Sequence, residues 1–275
     1  MKHSLTFLPL LAAGALTTTF INAGEPVTHS SASTSYSIFN PTPREQWRDL
    51  SPDRPDTTES PVTVDAGAWV VEASYLDWRR DKGDDTYTVM ATNLKVGLTD
   101  RIDLQTVFDA YTWTDPATGA GTEGFSDVTL RLKYNVWGNN GEPTGFAIFP
   151  FVKIPTDTAI SNGEVEGGLI LPFSMGLKEG LGLGLMAEID AVHDGANDYD
   201  LEFVHSAVLG FDLTERLGLF TEYVGVTGPS PYQAYASTGL TFSISKDLVL
   251  DTGVQIGLND AAEDIGVFGG FTKRF

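Results

Sequence analysis

A transmembrane antiparallel β-barrel of about twelve strands is the all-β fold that this sequence predicts, and three observations predict it. From Ala68 to Phe275 apolar and polar residues alternate with period two, the signature of strands with two unlike faces. The alternating runs number twelve, an even count, and each is about as long as a tilted strand needs to cross a bilayer. The connections between runs alternate between tight and long, as in barrels with short turns at one rim and loops at the other.

The N-terminus comes first. Lys2, the apolar run Leu5–Leu16 and the small residues up to Ala23 predict a signal peptide over residues 1–23. That apolar run is too short to span a bilayer as a helix, and no later stretch reaches roughly 18 apolar residues. Residues 24–45 are rich in Ser, Thr and Pro and read as a flexible mature N-terminus. In "SPDRPDTTESP" (51–61), Asp56-Thr57-Thr58-Glu59 has the spacing of a capping box, but Ser60-Pro61 follows where an apolar periodic run would be needed. Pro52, Pro55 and Pro61 bias the residues before them toward extended backbone. The domain division is therefore 1–23 leader, 24–66 proline- and arginine-containing segment, 67–275 barrel.

The strands are predicted near 68–78, 86–98, 102–113, 125–137, 145–156, 165–177, 181–192, 200–212, 217–226, 234–244, 248–258 and 264–275. In "FSDVTLRLKYNVW", Val128, Leu130, Leu132, Tyr134 and Val136 share one face, and Asp127, Thr129, Arg131, Lys133 and Asn135 the other. A soluble sandwich would bury the apolar face against a second sheet. The even count, the alternating turns and the closing aromatic strand "DIGVFGGFTKRF" favour a barrel with apolar residues toward lipid. Trp69, Trp113 and Trp137 near strand ends suit interfacial girdles. Both termini are expected in the periplasm, and Phe275 is expected to end an assembly signal read by the barrel-assembly machinery.

Composition narrows the function classes. The chain has 37 acidic and 17 basic residues, a formal charge of −20. Loss of the leader removes Lys2 and no acid, leaving 37 against 16, or −21. Nucleic acid, which needs a basic surface, is thereby excluded as a partner. With no cysteine, disulfides and thiolate metal sites are excluded.

The residues of "REQWRDLSPDRPDTTESPVTVDAG" leading into the first strand, with "NLKVGLTDRIDLQ", "GFSDVTLRLKYNVWG" and "FPFVKIPT", resemble the family of outer-membrane transporters labelled MetA-pathway of phenol degradation. The resemblance covers roughly residues 44–275. It implies an outer-membrane barrel that moves small, often hydrophobic, organic molecules, and it transfers no binding residue.

Sorting by parity places ten acids inside: Glu72, Asp103, Asp109, Asp127, Glu166, Glu188, Asp190, Glu202, Glu222 and Asp251. The inward bases are Lys95, Arg131, Lys133, Lys153 and Arg274. Such an excess requires water, cations or a compensating basic segment. Arg44, Arg48 and Arg54, with Trp47, precede the first strand and are the expected plug, their planar forks pairing with inward carboxylates. The alternative is a solvated periplasmic leader.

Sites of other kinds are poorly marked. His193 with Asp194, Asn197, Asp198 and Asp200 could form an external calcium-binding loop, since that ion takes oxygen ligands such as the Asp and Asn side chains, but their spacing is not that of an EF-hand, and a solvated acidic loop fits them better. His205 is expected to pack among strand neighbours. "GLGLGL" (180–185) lies in a strand pattern with no following helix, so it is no phosphate loop. No G-x-S-x-G elbow is present, no catalytic residue is assigned, and neither metal nor cofactor is expected. The expected function is passive passage of small solutes, hydrophobic ones included, with cations or neutral molecules preferred over anions. A sealed structural or adhesive barrel is the second class. A membrane hydrolase that depends on one serine or histidine is the third.

Overall fold

The computed structural model describes residues 35–195 and 198–275. The predicted leader (1–23), residues 24–34 and Asn197 of the acidic loop lie outside the described residues. Among the described residues no helix is long and apolar enough to cross a membrane, and the crossing elements are strands.

The chain runs through β1 (Trp69–Asp81), β2 (Asp84–Thr99), β3 (Ile102–Asp115), the two-residue β4 (Glu123–Gly124), β5 (Val128–Trp137), β6 (Thr144–Ile154), β7 (Glu166–Lys178), β8 (Leu181–His193), β9 (Tyr199–Asp212), β10 (Leu217–Thr227), β11 (Gln233–Ser245), β12 (Leu248–Gly257) and β13 (Ile265–Arg274). All pairings are antiparallel, and β1 pairs with both β2 and β13, which closes the sheet. Closure leaves no long edge strand unpaired, the condition for sheet backbone in lipid. Twelve long strands form the wall; β4 extends the ladder of β3 beyond β5.

Alternation along the strands gives the wall two unlike faces. Leu104, Leu130, Leu132, Tyr134, Ile189, Leu240 and Val267 project outward and are exposed. In water such a continuous apolar belt would be a large aggregation surface; lipid is the medium that covers it. The largest fully buried side chains include Lys95, Lys133, Gln105, Glu72, Asn135 and Asp103, so the interior is polar. A smaller apolar patch of Ala147, Phe149, Ile170 and Met186 lines β6 to β8.

Two departures from the sequence reading have local causes. Residues 79–85, predicted as a connection, instead extend both strands to a two-residue hairpin at Lys82-Gly83. Both turn residues have positive φ, 50° and 97°, the geometry that matches strand twist and that glycine adopts without strain. A β-bulge after Ser74 leaves Tyr75 and Leu76 both exposed, 58% and 45%, and reverses parity beyond them. Asp77 and Arg79 therefore belong to the interior with Asp109, although strict alternation places them outside.

The barrel has two unlike rims. Thr99–Arg101, Leu213–Arg216 and the ends of the wall, Trp69 and Phe275, share the tight-turn rim. There Phe275 N–H donates to Trp69 O at 2.8 Å. The longer connections, including 157–164, share the other rim.

Candidate functional site

The site is the lumen and the segment before β1 that enters it. Its outer part crosses the tight-turn rim. Tyr36 N–H donates to Asp100 Oδ2 at 3.1 Å, Ile38 N–H donates to Leu98 O at 2.9 Å, and one turn of 3-10 helix covers Arg44–Gln46. Arg44 pairs with Asp247 at 2.8 Å. Trp47 lies between the guanidinium groups of Arg44 and Arg274, each 5.0 Å from its ring, an arrangement that favours cation–π attraction. Arg274 also reaches Asp247 at 2.8 Å and Asp65 at 3.5 Å.

Residues 51–60 then form a closed loop inside the wall. Ser51 Oγ and Ser60 Oγ meet at 2.7 Å across its neck, and Ser60 N–H donates to Asp53 Oδ1 at 2.9 Å. Its prolines preclude a regular ladder, so its backbone N–H groups need other acceptors. Wall carboxylates supply them. Glu72 accepts from Asp53 N–H at 3.0 Å, Asp103 from Val64 N–H at 2.9 Å, and Glu222 from Thr57 and Thr58 N–H at 3.0 and 2.8 Å. Part of the acidic excess that the sequence shows is thus hydrogen-bonding capacity for a loop without secondary structure.

The centre of the anchor is Asp53. Its carboxylate takes Lys133 Nζ at 2.9 and 3.0 Å and also pairs with Lys95, whose Nζ reaches Glu72 at 2.6 Å. All four side chains are buried. Burial alone would raise the Asp53 carboxyl, but Lys133 and Lys95 outweigh it and hold it well below the usual carboxylate range. Lys133 Nζ also stands 4.4 Å from the Phe149 ring centre.

The plug arginines pair differently from the expectation. Only Arg54 binds one of the predicted inward carboxylates, Asp251, at 2.7 and 3.2 Å, with Ser74 Oγ at 2.7 Å. Arg48 turns back to Asp65 of its own segment at 2.7 Å, and Arg44 binds the turn residue Asp247. The reason is balance. The segment brings its own acids, Asp53 and Glu59, and these neutralise the wall bases Lys95, Lys133 and Arg131. Sequence reasoning missed Asp53 because an aspartate between prolines in a charged run has no periodicity that aims it anywhere.

The remaining residues divide the lumen in two. Glu72, Asp103, Glu222, Asp251, Lys95, Lys133 and Arg274 lie buried in the tight-turn half, packed against the segment. A cavity of about 20 Å³ between Leu50, Val64, Val70, Lys95 and Arg274 is room for little more than one water. In the other half Asp109, Asp127, Glu166, Glu188, Asp190 and Glu202 are partly exposed. Lys153 bridges Asp127, at 3.6 Å, and Glu166. Asp190 and Glu202 are direct cross-strand neighbours on β8 and β9, and Glu188 lies two residues away on the same face. The result is a closed floor below an acidic mouth. A shallow apolar depression of about 740 Å³ across Tyr75, Trp78, Tyr87, Leu250 and Val267 lies on the outer wall, facing lipid.

His205 projects outward and stacks with Phe203 and Tyr232, away from the lumen. Phe275 is 60% exposed at the tight-turn rim, with Lys273 Nζ 5.6 Å from its ring centre.

A model of the family described as "Putative MetA-pathway of phenol degradation" matches residues 52–275, which takes in the lumen loop as well as the barrel. No curated protein matches the chain in sequence. Among solved structures the chain is similar to the NanC porin, with a TM-score of 0.53 at 9% identity over 75% of this chain and 98% of that one. The β domain of the Bordetella autotransporter Brka gives 0.45 at 10% identity over 76% and 98%. Pseudomonas putida OprB at low pH gives 0.37 at 11% identity over 76% and 91%. At such identity the likeness to NanC is one of fold.

Proposed function

We propose a channel function for this chain, which belongs to the MetA-pathway of phenol degradation family. In this reading it is an outer-membrane barrel for passive passage of small organic solutes, hydrophobic ones included, and its own loop closes it at rest. The observation that carries the reading is Asp53, held between Lys95 and Lys133, which fastens a loop without secondary structure across a polar lumen. A barrel needed only as a wall could fill its interior with side chains from its strands. The acidic mouth above the loop favours cations and neutral solutes over anions. The tight-turn rim is assigned to the periplasm, and β13 with its exposed Phe275 is the strand offered to the assembly machinery.

The test is planar-bilayer conductance of the full-length barrel and of a variant lacking residues 51–60. The expected result is a nearly closed parent and an open deletion variant. A second reading, a sealed structural barrel, draws on the cavity of only about 20 Å³ between segment and wall. Silence from both proteins, with the deletion variant folded by circular dichroism, would establish that second reading instead.

A further inference from the structure

The loop is held at its base by opposite charges, but its tip meets like charges. Asp56 stands near three acids, Glu222 of β10 first and then Glu59 and Asp53 of its own loop. Glu222 already spends both oxygens on Thr57 and Thr58. Glu59 meets Arg131 of β5 through Oε1, while its Oε2 is buried with no hydrogen-bond partner among the described residues. Around Glu59 stand Asp53 of the loop, Lys133 of β5 and Lys95 of β2, with Glu188 and then Asp190 on β8. The two lysines are already committed to Asp53. Glu59 of the loop and Glu188 of the wall therefore share one base, Arg131, whose own Nε has no hydrogen-bond partner among the described residues.

We propose that the lumen loop is a pH-responsive gate whose tip, Asp56–Glu59, stays docked while these two side chains carry protons and lifts into the acidic mouth as they ionise. The proposal rests on the channel reading above and adds its regulation. Asp53 is the hinge, because its lysine partners keep it ionised throughout the relevant range.

The protonation energetics agree in sign. Burial pushes the Glu59 carboxyl up to about 7 despite Arg131, and burial together with Glu222 pushes Asp56 well above its ordinary value. A carboxyl raised on docking contributes fully to docking below its free value of 4.5. That contribution is lost as pH rises through the interval up to about 7. From Glu59 alone the docking equilibrium shifts by up to roughly 300-fold across this window, following from the tenfold-per-unit relation. Asp53 has the opposite shift and contributes above its ordinary value, so it weakens docking only in strong acid.

The test combines two readouts on the full chain. Single-channel recordings at pH 5 and pH 8 give the open fraction separately from the size of each opening, which the acidic mouth also influences. The chain has no cysteine, so Thr57→Cys, at an exposed tip position, takes a spin label at one site only, and its mobility reports docking directly. We expect an open fraction at least tenfold higher at pH 8, with a parallel rise in label mobility. We also expect Asp56→Asn/Glu59→Gln to stay closed and immobile at both pH values. A parent whose open fraction is equal at both pH values, beside an open deletion variant lacking residues 51–60, would overturn the gate and leave the channel. Unchanged label mobility despite a pH-dependent open fraction would also overturn it. A silent deletion variant would overturn the channel reading and the gate with it.

Discussion

At the scale of single residues, Asp53 illustrates how a buried charge behaves in a wet architecture. Two ammonium groups and one neighbouring carboxylate, Glu72, surround it, and no member of the cluster has solvent to fall back on. Breaking such a cluster from one side leaves an uncompensated charge and costs about 3–5 kcal/mol, more than the attraction itself contributes. We expect Asp53→Asn to release the loop while the barrel stays folded. Limited digestion with a glutamate-specific protease checks this, since the Glu59–Ser60 bond becomes cleavable once the loop leaves the wall. Lys133→Met should release it too, and the double substitution should cost less than the two single effects summed, because the second change removes a charge that the first left unpaired. Unaltered resistance at Glu59 in Asp53→Asn would show that the loop is held by its other bonds.

At the scale of elements, the segment is positioned by close backbone approaches that only some residues permit. At Gly97, near the end of β2, a Cβ atom would overlap the backbone carbonyl of Asp65, where the chain passes from segment to wall. Ala66 and Gly97 form a β-bridge there, and Gly67 N–H donates to Gly97 O at 2.8 Å. Gly97→Val should push the segment's neck off the rim, loosening residues 42–66 while leaving the twelve-strand wall intact. Hydrogen exchange checks it: faster exchange at Gly67 and Val64 is expected, with strand protection unchanged, and uniform protection would refute it. The strands themselves were legible from alternation, with ends within a few residues. The β1–β2 hairpin was not, because Arg79–Asp85 is charged at every position but Gly83 and only the paired positive φ angles at Lys82-Gly83 make it a turn. The bulge at Tyr75 was equally hidden, and with it the inward turn of Asp77 and Arg79.

At the scale of the whole molecule, charge is distributed by depth. The tight-turn half uses its acids and bases against the inserted segment, whereas the opposite mouth keeps Asp109, Glu188, Asp190 and Glu202 partly exposed, with Lys153 beside Asp127 and Glu166 and with Arg131 shared between Glu59 and Glu188. A ring of carboxylates in a narrow opening raises the local concentration of cations. We expect the barrel lacking residues 51–60 to prefer potassium over chloride, with the preference falling at least severalfold in Glu188→Gln/Asp190→Asn/Glu202→Gln. Reversal potentials in a salt gradient measure this, and anion preference in the parent would contradict the assignment of the mouth. The effect should weaken at high salt, as screening of exposed charges requires.

The sequence by itself determined that this chain is an antiparallel barrel whose strands carry one apolar and one polar face. These properties follow from a period of two along each strand, a local rule that neighbouring residues already display. Only the tertiary structure decided which inward charges meet the segment. Asp53 reaches Lys133 across 80 positions, Arg54 reaches Asp251 across 197, and Glu222 accepts from Thr57 across 165. No local pattern encodes such pairings, because barrel closure and one bulge set the azimuth and depth of every wall residue before the loop can choose among them. The sequence marked the arginines as the plug's counter-charge, yet the fold gave the central place to an aspartate, because Lys133 is ion-paired to no other carboxylate among the described residues and Lys95 is shared between Asp53 and Glu72.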